Sequence, residues 1–319
     1  MRYYIAADGG GTKLQAILYN EDFQIIKTAR MAGTNERYIP VDQIKQQLAQ
    51  LAAELIPEDI TEIEGADLCI VGDNEIVERS LKQRCPIKLC RFLGEGPAGV
   101  SAYGVQRGIV AQAGTGAVAF MVQETNPFQV GGWGYMLGDE GSGYDIGMRT
   151  LRAAIYSSDG RGEKSLIEPM LMEDWKLDRL GDLVTRLIYE PNYRHVVASA
   201  SYIASKAAIQ GDQVALSIYE EAAHEMSRLV LTGIRRNGGS WEGPIVAAGG
   251  AWKGSSRMFE TFRKDILAVY PQAEVTYPIF EPVIGCAIYR QFKEGKTFEE
   301  LEEKVREGFA PFYFKKPVK

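Results

Sequence analysis

The chain has 319 residues, a length that suits two domains of about 150 residues each better than one core. Its 45% hydrophobic and 24% charged residues are ordinary globular values. The net charge of −6 comes from 42 acids against 36 bases without a dense Lys/Arg cluster, which argues against a nucleic-acid partner, and no apolar run approaches the ~18–20 residues of a membrane span.

Met1 and Arg2 run directly into the first strand with nothing that looks like a signal peptide, so the protein is expected in the cytoplasm. Three strands in series are predicted, "YYIAA", "LQAILYN" and "QIIKTARM", separated by "DGGGTK" (8–13) and by the acidic turn "EDF". A helix follows over 41–55, with Val41, Ile44, Leu48, Leu51, Ala52 and Leu55 at helical spacing and Pro57 beyond its end. Then come the strand "ADLCIVG", a helix near 75–83, the strand "IKLCRFL" and a small-residue segment "GEGPAGVSAYG". The predicted order is βββαβαβα.

At Gly108 the pattern starts again. "GIVAQAGTGAVAFMVQ" reads as two strands joined by a glycine-threonine-glycine turn, and "VGGWGYMLGDEGSG" as a second glycine-dense loop running into the helix "YDIGMRTLRAAIY". A long helical region fills roughly 165–236; it is followed by the strand "GPIVAAGG", a helix capped by Ser255 or Ser256, "EVTYPI", the small-residue helix "VIGCAIYRQF" and a charged helix. Two β-rich openings predict a duplicated α/β unit with a cleft between the copies. The expected domains are 1–106 and 107–319, the second with a helical insertion.

The four cysteines, Cys69, Cys85, Cys90 and Cys286, mostly sit in apolar or strand-like stretches and read as reduced core residues. His195 and His224 are the only histidines and lie in helical segments, which leaves little for nucleophile–histidine catalysis.

Glycine-dense turns after apolar strands let backbone N–H groups approach an anion with no Cβ in the way. "DGGGTK" is not a Walker A loop, since it lies between two strands rather than ahead of a helix. Thr12 offers a hydroxyl and Lys13 a cation to phosphate oxygens, while Asp8 at the strand end suits a hydrated magnesium ion.

"DGGGTK" resembles the first phosphate motif of the sugar kinase, Hsp70 and actin superfamily, "AGTGA" (113–117) the second, and "VAAGGAWKGS" (246–255) the adenosine motif. Together with "GGWGYMLGDEGSGYDIG" (131–147) and the P-x-x-G-x-A pattern in "EPVIGCAIYR", the chain resembles the N-acetylglucosamine kinase branch, grouped with the BadF/BadG ATPases. The resemblance implies duplicated ribonuclease H-like, actin-like ATPase domains with the nucleotide cleft between them. It implies phosphate contacts from Thr12 and Thr115 and from the backbones of Gly9, Gly10, Gly11, Gly114 and Gly116, and an adenine site at Gly249 and Gly250 with Lys253 nearby. The amino sugar would meet Asn35 and Glu36 in the "T-N" loop, Ala117, and Gly132, Trp133, Gly134 and Asp139.

Relatives carry a catalytic aspartate in a "D-A-A-G"-like segment, where this chain reads "GEGPAG" and places Glu95. A glutamate can take the proton of a sugar hydroxyl, but its extra methylene moves the carboxylate by about 1 Å, a shift of the size that costs about 10²-fold when a catalytic group is misplaced. Asp73 in "VGDNE" is the rival base and Glu140 a weaker one. The implied activity is transfer from ATP, with Mg2+, to the 6-hydroxyl of N-acetylglucosamine. The alternatives are a kinase for another sugar such as glucosamine, a BadF-type ATPase or activase, or a non-catalytic nucleotide sensor. A homodimer is common among relatives and is expected here.

Overall fold

The computed structural model describes residues 1–10, 13–36 and 39–317. They form two compact units, Met1–Arg107 with Pro278–Phe314, and Gly108–Tyr277 with the chain from Lys315.

The first unit opens with β1 (Tyr3–Gly9), β2 (Lys13–Asn20) and β3 (Ile25–Ala32), an antiparallel meander. Helix α1 (Val41–Leu55) buries Ile44, Leu48, Leu51, Ala52 and Leu55 along the stripe its spacing predicts. Next come β4 (Ile63–Ile70), α2 (Asn74–Arg84), β5 (Ile87–Phe92) and α3 (Glu95–Ser101). The sheet order is β3-β2-β1-β4-β5, with β1, β4 and β5 parallel.

The second unit repeats this plan. A hairpin of β6 (Gly108–Ala113) and β7 (Ala117–Val122) is extended by β8 (Phe128–Gly131). Helix α4 (Gly143–Asp159) starts at Ser142, whose side chain caps the Asp145 N–H. The insertion comprises α5 (Ile167–Asp174), α6 (Asp182–Ile188), α7 (Tyr193–Ser199), α8 (Ser201–Ile209) and α9 (Gln213–Arg236). His195 lies in α7 and His224 in α9. Then β9 (Ile245–Ala248), α10 (Ser256–Val269) with Ser255 as its cap, and β10 (Val275–Thr276) complete a sheet of order β10-β9-β6-β7-β8. Read from the meander inward, β8-β7-β6-β9-β10 matches β3-β2-β1-β4-β5 strand for strand.

The chain then returns to the first unit with α11 (Pro282–Lys293) and α12 (Glu302–Gly308). Side chains alternate along β1, so Ile5 and Ala7 join the core under α1 and α2, whereas Tyr4 and Ala6 join Ile284, Ala287, Ile288, Val305 and Phe309. Without the C-terminal segment that second sheet face would be bare. Sequence order alone put residues 278–314 with the second domain; the need to cover this face assigns them to the first unit. Gly285 of the P-x-x-G-x-A pattern is the point of closest approach, because a Cβ there would lie 2.0 Å from the Ala98 carbonyl oxygen of α3.

Candidate active site

In the first unit the candidate residues gather at the carboxyl ends of the parallel strands, where open α/β sheets commonly bind ligands. Asp8 is the penultimate residue of β1 and pairs in register with Cys69 of β4. Its side chain is hydrogen-bonded to the Cys69 thiol, and the Cys286 thiol of α11 donates to the Ala7 carbonyl at 3.3 Å. Burial raises Asp8 to about 6; the Lys13 charge and the Cys69 thiol pull it down, and the like charge of Glu281 pushes it up. A hydrogen bond with Cys286, together with burial, lifts Cys69 well above the ordinary thiol range, so it is a donor and not a thiolate.

The turn after Asp8 is held by the Gly10 N–H donating to the Lys13 carbonyl at 2.9 Å, and space is open where a Gly10 side chain would lie. Gly9 is buried at the end of β1. Gly11 and Thr12 lie outside the described residues. The Thr34 hydroxyl donates to the Val71 carbonyl at 2.9 Å, which ties the loop carrying Asn35 and Glu36 to the end of β4; Asn35 is half-buried and Glu36 exposed.

Glu95 is half-buried in the first turn of α3, close enough to Cys69 to raise its pKa. Asp73 instead serves as the N-cap of α2, its Oδ1 accepting from Glu75 and Ile76 at 2.8 and 3.3 Å. That engagement accounts for Asp73 without a catalytic role.

In the second unit three predicted segments converge. The 114–116 turn is closed by the Gly114 N–H donating to the Gly116 carbonyl at 2.9 Å, with Thr115 half-buried. The Gly114 carbonyl accepts from the Gly143 N–H at 2.7 Å, which seats the turn on the amino end of the 17-residue helix α4. Such an end carries partial positive charge and suits an anion. Gly249 packs on the same turn in a left-handed conformation, φ +107°, and a Cβ there would lie 2.4 Å from the Ala113 carbonyl oxygen. Gly250 beside it faces open space, and Lys253 ends the short 3₁₀ turn that follows.

Asp139 adopts φ +64°, a left-handed conformation uncommon outside glycine. Its buried carboxylate accepts from the Ala117 N–H at 3.2 Å and pairs with Arg194 of α7 at 3.3 Å. Burial raises its pKa against the pull of the Ala117 N–H and Arg194. Asp139 thus fastens residues 131–142 to the glycine turn. Gly132 and Gly134 take positive φ on either side of Trp133, which is 77% exposed and therefore no core residue. Glu140 is exposed.

Sequence reasoning missed Cys69, Glu281 and Arg194. The first becomes visible only when β1 and β4 are aligned in parallel register. Arg194 carries no local signal, since "PNYRH" reads as one more helical stretch of the insertion.

Two sheets of identical strand order, each with a glycine turn closing the hairpin next to its central strand, define an actin-like ATPase fold. The chain covers 91%, and its counterpart 99%, in a match to the crystal structure of a Chromobacterium violaceum protein taken to be an N-acetylglucosamine kinase, with a TM-score of 0.66 and 19% identity. The chain belongs to the BadF/BadG/BcrA/BcrD ATPase family, whose model matches residues 7–289. It is 26% identical over 300 residues to an N-acetylmuramic acid/N-acetylglucosamine kinase of Clostridium acetobutylicum, covering 90% of this chain and 98% of that one. It is also 26% identical over 311 residues to an N-acetyl-D-glucosamine kinase of Dictyostelium discoideum, covering 89% and 96%. Family membership makes ATP the expected nucleotide. Among the described residues no helix is long and apolar enough to cross a membrane.

Proposed function

We propose that the chain is an ATP-dependent amino-sugar kinase that transfers the γ-phosphoryl group to the 6-hydroxyl of N-acetylglucosamine or a close relative. The observation that carries this reading is the convergence of residues 113–117, 131–143 and 249–250 on the amino end of α4. A plain hairpin turn has no use for a helix end beneath it and a left-handed glycine against it; a polyphosphate has use for both. The two curated relatives, matched over nearly their whole length, are sugar kinases.

In this reading the 114–116 turn, closed by its own Gly114 N–H bond, lies against phosphate oxygens, and Gly249 and Gly250 admit the adenine. Asn35, Trp133 and the loop ending at Asp139 hold the sugar, the exposed indole offering an apolar face to the ring. Glu95 accepts the proton of the attacking hydroxyl as the oxygen bonds to phosphorus and the bond to ADP breaks, an effect worth about 10²–10⁴-fold.

Asp8 fits a magnesium ion. Its carboxylate lies beside the like charge of Glu281 and is raised to about 6, so a divalent cation there relieves a standing penalty. Among the described residues no three acidic, cysteine or histidine side chains are grouped to cage a metal, so Asp8 would be the carboxylate that holds the ion. When bound, the ion would neutralise phosphate charge.

A coupled ADP-release assay tests the proposal. N-acetylglucosamine should raise ADP production far above the sugar-independent rate, with N-acetylmuramic acid, N-acetylmannosamine and glucosamine as competitors for the preferred acceptor. Glu95→Gln should lower turnover by at least ~10²-fold with little change in nucleotide affinity. An unchanged rate would remove Glu95 from the role of base.

A further inference from the structure

Resting on the kinase reading, we infer that Arg194 is a phosphate-contacting residue, its guanidinium lying against the 114–116 turn to receive the terminal phosphoryl group of the nucleotide. A Cβ built on Gly116 would lie 3.0 Å from Arg194 Nη2 and 3.0 Å from both oxygens of Asp139. The arginine therefore sits directly against the third residue of the turn, and glycine is the residue that leaves it room.

Several contacts hold it there. Nη2 is 3.3 Å from Asp139 Oδ2, with side-chain exposures of 20% and 3%. The guanidinium lies 5.9 Å from the Tyr135 ring, and Tyr135, Tyr144 and Tyr193 pack on one another at 5.1–6.4 Å, which fixes the start of α7 against the sugar loop and α4. A left-handed aspartate persists only where its surroundings enforce it, and such residues cluster at functional sites.

Charge gives the second argument. A buried carboxylate beside a phosphate-binding turn would repel the ligand, and Arg194 is the cation paired with it. A guanidinium carries five N–H donors in a fixed fork, so an ion pair through one nitrogen and a bond to a phosphate oxygen are compatible. The contact would assist most when charge accumulates on the transferred group.

The alternative is that Arg194 only neutralises Asp139. Titration calorimetry with magnesium ADP and with the magnesium complex of a non-hydrolysable β,γ-imido ATP analogue separates the two, using wild type, Arg194→Ala, Arg194→Lys and the double variant Arg194→Ala with Asp139→Asn, each checked by circular dichroism. Arg194→Ala should weaken the triphosphate analogue by about ten- to a hundredfold, change ADP far less, and stay weak in the double variant. Arg194→Lys should fall between, and carries the comparison if the alanine variant does not fold. Equal losses for both nucleotides, no loss, or recovery in the double variant would overturn the assignment. If wild type binds both nucleotides but sugar-dependent ADP release is absent, the kinase reading fails while the phosphate contact stands. If wild type binds neither, both fall.

Discussion

Asp8 stands near the end of β1 with its carboxyl group withdrawn from water. Burial raises it from the ordinary 3.8 to about 6, so the folded chain binds this proton more tightly than the unfolded chain does. Stability from this group is therefore full below about pH 4, declines as pH rises through the interval up to 6, and remains lost above it. Asp8→Asn removes the titration, so the variant without nucleotide or metal should melt higher than wild type at pH 7.5, and the gap should close toward pH 4. The same variant should lose magnesium-dependent ADP production. Thermal denaturation across pH checks the first outcome, and a wild type no less stable than the variant at pH 7.5 would contradict it. Asp8 and Glu95 were proposed from the sequence because each stands in a short local motif. The thiol that holds Asp8 was not, because Cys69 is 61 residues away in sequence and meets it only through strand register.

At the level of elements, the glycine turn, the amino end of α4 and the loop after β9 form one structure joined by backbone contacts. Gly249→Ala would force a left-handed alanine, costing about 1–2 kcal/mol, and would press its Cβ on the Ala113 carbonyl 2.4 Å away. It should lower both the melting temperature and nucleotide affinity. Gly250→Ala enters open space at φ −72°, so it should fold like wild type and affect nucleotide binding alone. Melting curves with and without nucleotide distinguish them, and the reverse ranking of stabilities would contradict the cradle described here. A long periodic element such as α1 was readable from its apolar stripe. The short strand β8 was missed because its last two residues open what reads as a glycine loop, and Arg194 was hidden inside a helical insertion whose packing has no sequence period.

Across the whole molecule, the duplication was legible because both hairpins carry the same strand–glycine–strand signature. Placement of residues 278–314 was not, since the face they cover belongs to strands formed more than 200 residues earlier. The family and the two matched sheets establish an ATP-using fold; the kinase proposal adds that phosphate leaves on a sugar and not on water. Phosphorus NMR of a reaction containing wild-type protein, magnesium ATP and N-acetylglucosamine measures that directly. The account predicts ADP together with a phosphate monoester coupled to the C6 protons of the sugar, whereas ADP with inorganic phosphate and no sugar ester would contradict it.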